Sequence, residues 1–250
     1  MENIQERTIG QLVAADYRTA QIFKNHKIDF CCKGNRSVKE VAEKHNLDID
    51  QLNIELAEVQ QKKMNESIDF QSWPLDLLMD YIEKKHHRYV EKQIPVLKQY
   101  LNKLCKVHGE RHPELHKMAQ HFDMTAGELT MHMKKEELML FPWIRKMVKA
   151  LKLGETLDRP HFGSIKNPIA AMMQEHENEG ERFMLIAQLS NDYTPPKDAC
   201  STYRVSFSLL QEFEEDLHRH IHLENNILFP KAEELERKLQ GFDHNIASER

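Results

Sequence analysis

Nowhere does the chain reach 18 consecutive apolar residues, so no ordinary membrane-spanning helix is expected. Basic residues are not in surplus. The 35 Lys and Arg stand against 40 Asp and Glu, a formal net charge of −5. No basic stripe is interleaved with aromatics, so a nucleic-acid partner is not expected either. The four cysteines, at 31, 32, 105 and 200, are too few for a disulfide framework in 250 residues and suit a reducing setting. Glycine and proline are scarce, at 8 and 9. No segment sustains the period-two alternation of Val, Ile, Thr and aromatics that strands need, which leaves an all-α chain. The opening MENIQERTIG has no basic region running into an apolar one. No secretory leader is expected, and the setting predicted is cytoplasmic.

What the chain does have is helix-forming composition: 30% charged residues, with abundant Glu, Lys, Gln and Met. Residues 1–60 read as a small helical domain. Ser37 with Glu40 forms a capping box opening KEVAEKHN, and Asp48 with Gln51 resembles a second opening QLNIELAEVQ. Leu52, Leu56 and Val59 then share one face. Residues 61–72 are polar and weakly patterned, a linker. From 73 to 250 the pattern predicts four long helices, near 74–106, 113–150, 168–190 and 200–238, separated by VHGERHP, KLGETLDRPHFGSIKNP and SNDYTPPKD. Two hairpins joined by a longer connection make an antiparallel four-helix bundle.

The chemistry lies in a repeat. HMKKEELMLFP begins at His132 and HIHLENNILFP at His220, so His132 falls on His220 and Glu136 on Glu224. Residues four apart share a helix face, one turn along. Both pairs lie on apolar stripes, His132 with Leu129, Met139 and Leu140, and His220 with Phe213, Leu217, Ile227 and Leu228. Burying them is costly unless a metal ion compensates. His87 and His132 are equidistant from the turn at Gly109, and His176 and His220 from the TPPKD loop. The four imidazoles can therefore share one layer. His87, not His86, lies on the stripe of Val90, Ile94, Leu97, Leu101 and Leu104. His218 and His222 read as surface residues or as support for the site, and the histidines at 108, 112, 116 and 121 as solvated turn residues.

Four imidazoles and two carboxylates are too many for one tetrahedral zinc. If both glutamates bridge two metals, each ion receives two nitrogens and two oxygens, with room for an oxo or hydroxo bridge. Two non-haem iron ions are expected, ahead of manganese or adventitious zinc.

These residues resemble the hemerythrin-like di-iron domains, and among them the repair-of-iron-centres proteins of the ScdA/YtfE type. The likeness rests on Ile28–Cys32 (IDFCC), Val107–Pro113 (VHGxxHP), Glu175-His176 and His220–Pro230 (HxHLENNxLFP), and spans nearly the whole chain. It implies the fold, a hemerythrin-like bundle with a small N-terminal helical domain, and the ligands His87, His132, Glu136, His176, His220 and Glu224. It also implies repair of iron–sulfur clusters damaged by oxidative or nitrosative stress, with damaged iron–sulfur proteins as partners and a cytoplasmic, often dimeric, protein. Nitric oxide reduction, peroxide removal, or sensing of O2 or NO at the same irons are the alternatives. Where the family commonly has Cys-Cys-Gly-Gly, this chain has Cys31-Cys32-Lys33-Gly34. Where oxygen carriers have a second histidine on the third helix, it has Gly180. Cys31 and Cys32 could relay electrons, hold an iron, form a mixed disulfide with a client, or simply be two reduced thiols at a helix end.

Overall fold

The computed structural model describes residues 4–61 and 68–248, without the side chains of 60, 61 and 241–248. No β-strand forms among them. The N-terminal residues make four short helices: α1 (Ile9–Ala15), α2 (Thr19–Asn25), α3 (Val38–Lys44) and α4 (Ile49–Gln61). The Ser37–Glu40 box closes reciprocally. At α4, Asp48 accepts from the Gln51 amide, but the Gln51 side chain turns to Glu55, so only half of that box forms. Two helices went unpredicted. At the head of α1, Thr8 and Gln11 form a complete capping box.

The bundle helices run over 75–108, 114–153, 166–189 and 201–248; the first three lie close to the predicted spans, and the fourth runs past the predicted end at 238. Pro74 and Pro113 stand just before the first two, where a missing N–H costs nothing. Gly154, with φ +66°, ends the second. Of the stretch expected to be a polar linker, 62–67 lie outside the described residues. Its end is aromatic and packed: Phe70 and Trp73 meet edge to face, and Tyr81 meets Trp73 edge to face and Phe70 at a tilt.

Three of the four helices open into a π turn: Ile82–His87, Glu136–Leu140 and Glu224–Leu228. The shared LFP endings account for two of these. Pro142 and Pro230 have no N–H to give, and their rings crowd the carbonyl four residues back. Each helix takes one more residue into the turn, closing Phe141 N–H on Glu136 O and Phe229 N–H on Glu224 O. The repeated proline thus widens the helix at the glutamate of each HxxxE pair.

Two apolar clusters fill the bundle. One gathers Val90, Leu97, Leu129, Met133, Phe213, Leu217 and Ile221 with the core of the N-terminal helices. The other gathers Met79, Ile82, Leu140, Met172, Leu223 and Leu228. The six candidate ligands form a polar layer between them.

The N-terminal helices sit on the fourth bundle helix. Tyr17 packs on His222 and under the Arg219 guanidinium, 4.3 Å from its ring centroid, and Phe30 lies against His218 and His222. Asn226 donates to the Cys31 carbonyl. Gly34 makes this approach possible, since a Cβ there would stand 2.6 Å from the Phe30 carbonyl oxygen and 2.5 Å from Asn226 Oδ1. Lys33 has room and pairs with Glu177 at 2.9 Å. The departure from Cys-Cys-Gly-Gly therefore falls at the tolerant position. Gly34→Ala is expected to cost about 2 kcal/mol in urea unfolding, because backbone must move. Lys33→Gly should cost only about 0.5–1 kcal/mol, most of it the backbone freedom that glycine adds to the unfolded chain, since the ion pair it loses is half-exposed.

Candidate metal centre

The π turns and the hairpin register bring all six residues together, each 3% exposed or less. They form two pockets with shared walls. One consists of His87, His220, Glu136 and Glu224, the other of His132, His176, Glu136 and Glu224. The division is atomic. Glu136 turns Oε2 to His87 Nε2 at 3.4 Å and Oε1 to His132 Nε2 at 3.4 Å. Glu224 turns Oε1 to His220 Nε2 at 3.0 Å and Oε2 to His176 Nε2 at 3.2 Å. Each carboxylate offers one oxygen to each pocket.

The donor set fits metal ions. His132 Nε2 and His176 Nε2 are 3.0 Å apart, the separation expected of two adjacent donors each about 2.1 Å from one ion at a right angle. His87 Nε2, both Glu136 oxygens and Glu224 Oε2 are buried with no hydrogen-bond partner among the described residues. Native interiors seldom leave that many polar atoms unmet.

Outer partners fix which nitrogen faces inward. His87 Nδ1–H donates to Glu137 at 3.0 Å, His132 Nδ1–H to Glu175 at 2.8 Å, and His176 Nδ1–H to Asn225 Oδ1 at 2.9 Å. An acceptor on Nδ1 puts the proton there and leaves the Nε2 lone pair for the pocket. The repeat extends to these supports: the residue after each glutamate, Glu137 or Asn225, orients the histidine of a neighbouring helix. Among the described residues His220 has no such partner for its Nδ1.

The field of the layer draws in positive charge. Burial works against a charged His132, yet Glu136 and Glu175 push its pKa up to about 10. Burial likewise opposes the Glu224 carboxylate, but His220 and His176 hold it well below the usual range. Glu175 is held at about 2 by its hydrogen bond to His132, with burial acting against it and Lys135 adding to the effect.

Four sequence expectations need correction. His86 does not point away from the core. It is wholly buried, its Nδ1 on Asp216 at 3.0 Å and its ring stacked on His220. The π turn Ile82–His87 brings both histidines inside, but only His87 turns to Glu136 of the six-residue layer. His222 is not a surface residue; it is buried under Tyr17 and Phe30, and desolvation drives its pKa down to about 3. His218 is half-buried against the same Phe30 ring. His108 is buried as well, at the far end of the bundle, with Nε2 on Cys200 and its ring edge against Tyr203.

Cys31 and Cys32 lie beside this centre. Cys32 Sγ is 3.3 Å from the His176 carbonyl oxygen, and Asn225 spans the gap, bonded to His176 and to the Cys31 carbonyl. A Cβ on residue 180 would come within 3.3 Å of Cys32 Sγ. The space left at Gly180 is where the cysteine approaches. Beyond His132 and His176, between the second and third bundle helices, a cavity of about 590 Å³ is lined by Met124, Met131, Glu175 and Glu179. On the other side His87 is closed off by the Phe141 ring, stacked at 5.8 Å.

Comparison with known proteins agrees in both parts of the chain. The hemerythrin HHE cation binding domain family matches residues 78–232, and the ScdA_N domain, described as of unknown function, matches residues 5–60. The iron–sulfur cluster repair protein YtfE of Yersinia pestis (strain Pestoides F) is 36% identical over 91% of this chain and 97% of its own length. Its counterpart in Yersinia pseudotuberculosis serotype O:1b (strain IP 31758) is 35% identical over the same shares. No helix among the described residues is long and apolar enough to cross a membrane.

Proposed function

The chain belongs to the iron–sulfur cluster repair family of the ScdA/YtfE type, and on that premise we propose that it repairs damaged clusters by donating iron from a di-iron centre. His87 and His220 would hold one ion and His132 and His176 the other, with Glu136 and Glu224 bridging. The observation that carries this reading is the split of each carboxylate, one oxygen to each pocket. Two buried anionic charges among four imidazoles also call for cations. Bound there, two irons would supply redox-active Lewis-acid sites with open positions, since each has only four protein donors. The chain's own part is to hold three of the four Nε2 lone pairs inward, those of His87, His132 and His176, through Glu137, Glu175 and Asn225, and to seat the layer between two apolar clusters. Damaged iron–sulfur proteins are then the clients, in the cytoplasm and under oxidative or nitrosative stress, with a homodimer as the family's usual assembly.

The cavity beside His132 and His176 favours a second reading, in which O2, NO or peroxide reaches the irons and NO or peroxide is turned over there. Metal analysis with an optical spectrum tests the centre. About two irons per chain with oxo-bridge absorption are expected, and one zinc per chain would overturn it. Iron passed from the loaded protein to an apo iron–sulfur protein supports donation. Steady NO consumption with a supplied reductant, without such transfer, would favour the second reading.

A further inference from the structure

The loop that carries the two adjacent cysteines is built with more care than two idle thiols require. Asp29 Oδ1 accepts the amides of both Cys31 and Cys32, at 3.1 and 2.9 Å. Arg36 donates to the Asp29 carbonyl, and Asn225 and Asn226 donate to the Cys31 carbonyl. Side chains of neighbouring residues in extended backbone point to opposite sides. This turn brings both sulfurs to one side, 3.8 Å apart.

That spacing is far too long for a bond between them and right for chelation. Two thiolates, each about 2.3 Å from one tetrahedrally held ion, stand about 3.8 Å apart. A carboxylate oxygen about 2.1 Å from the same ion would lie about 3.6 Å from either sulfur. Asp29 Oδ1 is 3.3 Å from Cys31 Sγ, and a further oxygen, the His176 carbonyl, is 3.3 Å from Cys32 Sγ. The donor atoms of Asp29, Cys31 and Cys32 all lie within 4.8 Å of one another.

We propose that Asp29, Cys31 and Cys32 form a third metal site, for a thiophilic divalent cation such as ferrous iron or zinc, set against the backbone of His176. The ion displaces the two thiol protons to solvent. Two thiolates then meet its charge, and the Asp29 carboxylate leaves the site with one net negative charge. None of the side-chain donors belongs to the six-residue layer, so the site does not depend on the di-iron reading. Its position gives it a role if that reading holds. Asn225 hydrogen-bonds both to His176 and to this loop, so an ion here occupies the doorstep of the His132–His176 pocket.

The test is an anaerobic titration of the full-length, iron-loaded protein with Co(II), its iron content having been measured first. About one further Co(II) per chain should bind with a thiolate-to-metal charge-transfer band in the near ultraviolet. Cys32→Ser, at a partly exposed position, should abolish the band while leaving helicity and iron content unchanged. Cys31→Ser should do the same, and Asp29→Asn, which keeps the amide caps, should weaken binding roughly tenfold. Absence of the band in the unaltered protein, or its survival in Cys32→Ser, would overturn the third site. A protein with no iron that still shows the band would count against the di-iron centre and leave this site standing.

Discussion

A Glu224→Ala protein is expected to emerge from purification nearly metal-free, well below half an ion per chain, whereas His87→Ala should keep about one ion. The difference follows from which atoms each residue supplies. His87 faces one pocket only. Glu224 gives Oε1 to the side of His220 and Oε2 to the side of His176, so its loss removes one donor from each. The electrostatic loss is larger still. Two dications set in a buried layer repel one another strongly where the effective dielectric is low. Two carboxylates offset that repulsion and one cannot. Glu136→Ala should match Glu224→Ala, because its oxygens divide the same way. His86→Ala is the control. It should retain about two ions while losing ~1–3 kcal/mol of stability, because it leaves the space of a buried ring and an unpaired Asp216. Metal analysis on the four variants decides the matter. Two ions retained in Glu224→Ala would mean that the carboxylate does not bridge.

The bundle and the six clustered residues were legible because the cues are long-range and redundant. A repeated HxxxE on apolar stripes, with hairpin turns midway between histidines, needs no detailed geometry. What stayed hidden depends on backbone detail. The helical period puts His86 and His87 on different faces, and only the π turn at Ile82–His87 brings both inside. The LFP repeat was visible as a pattern, but its effect, a widened turn at each glutamate, was not. From the sequence His222 reads as a surface residue or as support for the site, because nothing in its own helix reveals that Tyr17 and Phe30 cover it. At seven residues each, α1 and α2 are too short for periodicity, although the Thr8–Gln11 box was there to be read. Gly180 was read as a missing ligand. Its steric consequence, room for Cys32, appears only when the N-terminal helices are docked.

Chelation of the bound metal is expected to lower the thermal midpoint by about 10 °C without abolishing cooperative unfolding. Two ions that bind only the folded state, each held at about thirty times its dissociation constant, together stabilise by ~4 kcal/mol. At this chain length each kcal/mol is worth roughly 2–4 °C. The fold should survive because the layer is flanked by two complete apolar clusters, neither of which needs an ion. Within the layer, His132 can take a proton and pair with Glu136, and His220 can hydrogen-bond Glu224, so the carboxylates are not left wholly unmet. This is unlike a small zinc domain, where the metal is the core. Calorimetry of matched loaded and chelated samples at fixed pH and concentration measures the shift. An unchanged midpoint would show that the pockets hold no ion in the folded protein. A chelated sample with no transition at all would show that the two apolar clusters cannot stand without the metal, and that the centre is structural as well as chemical.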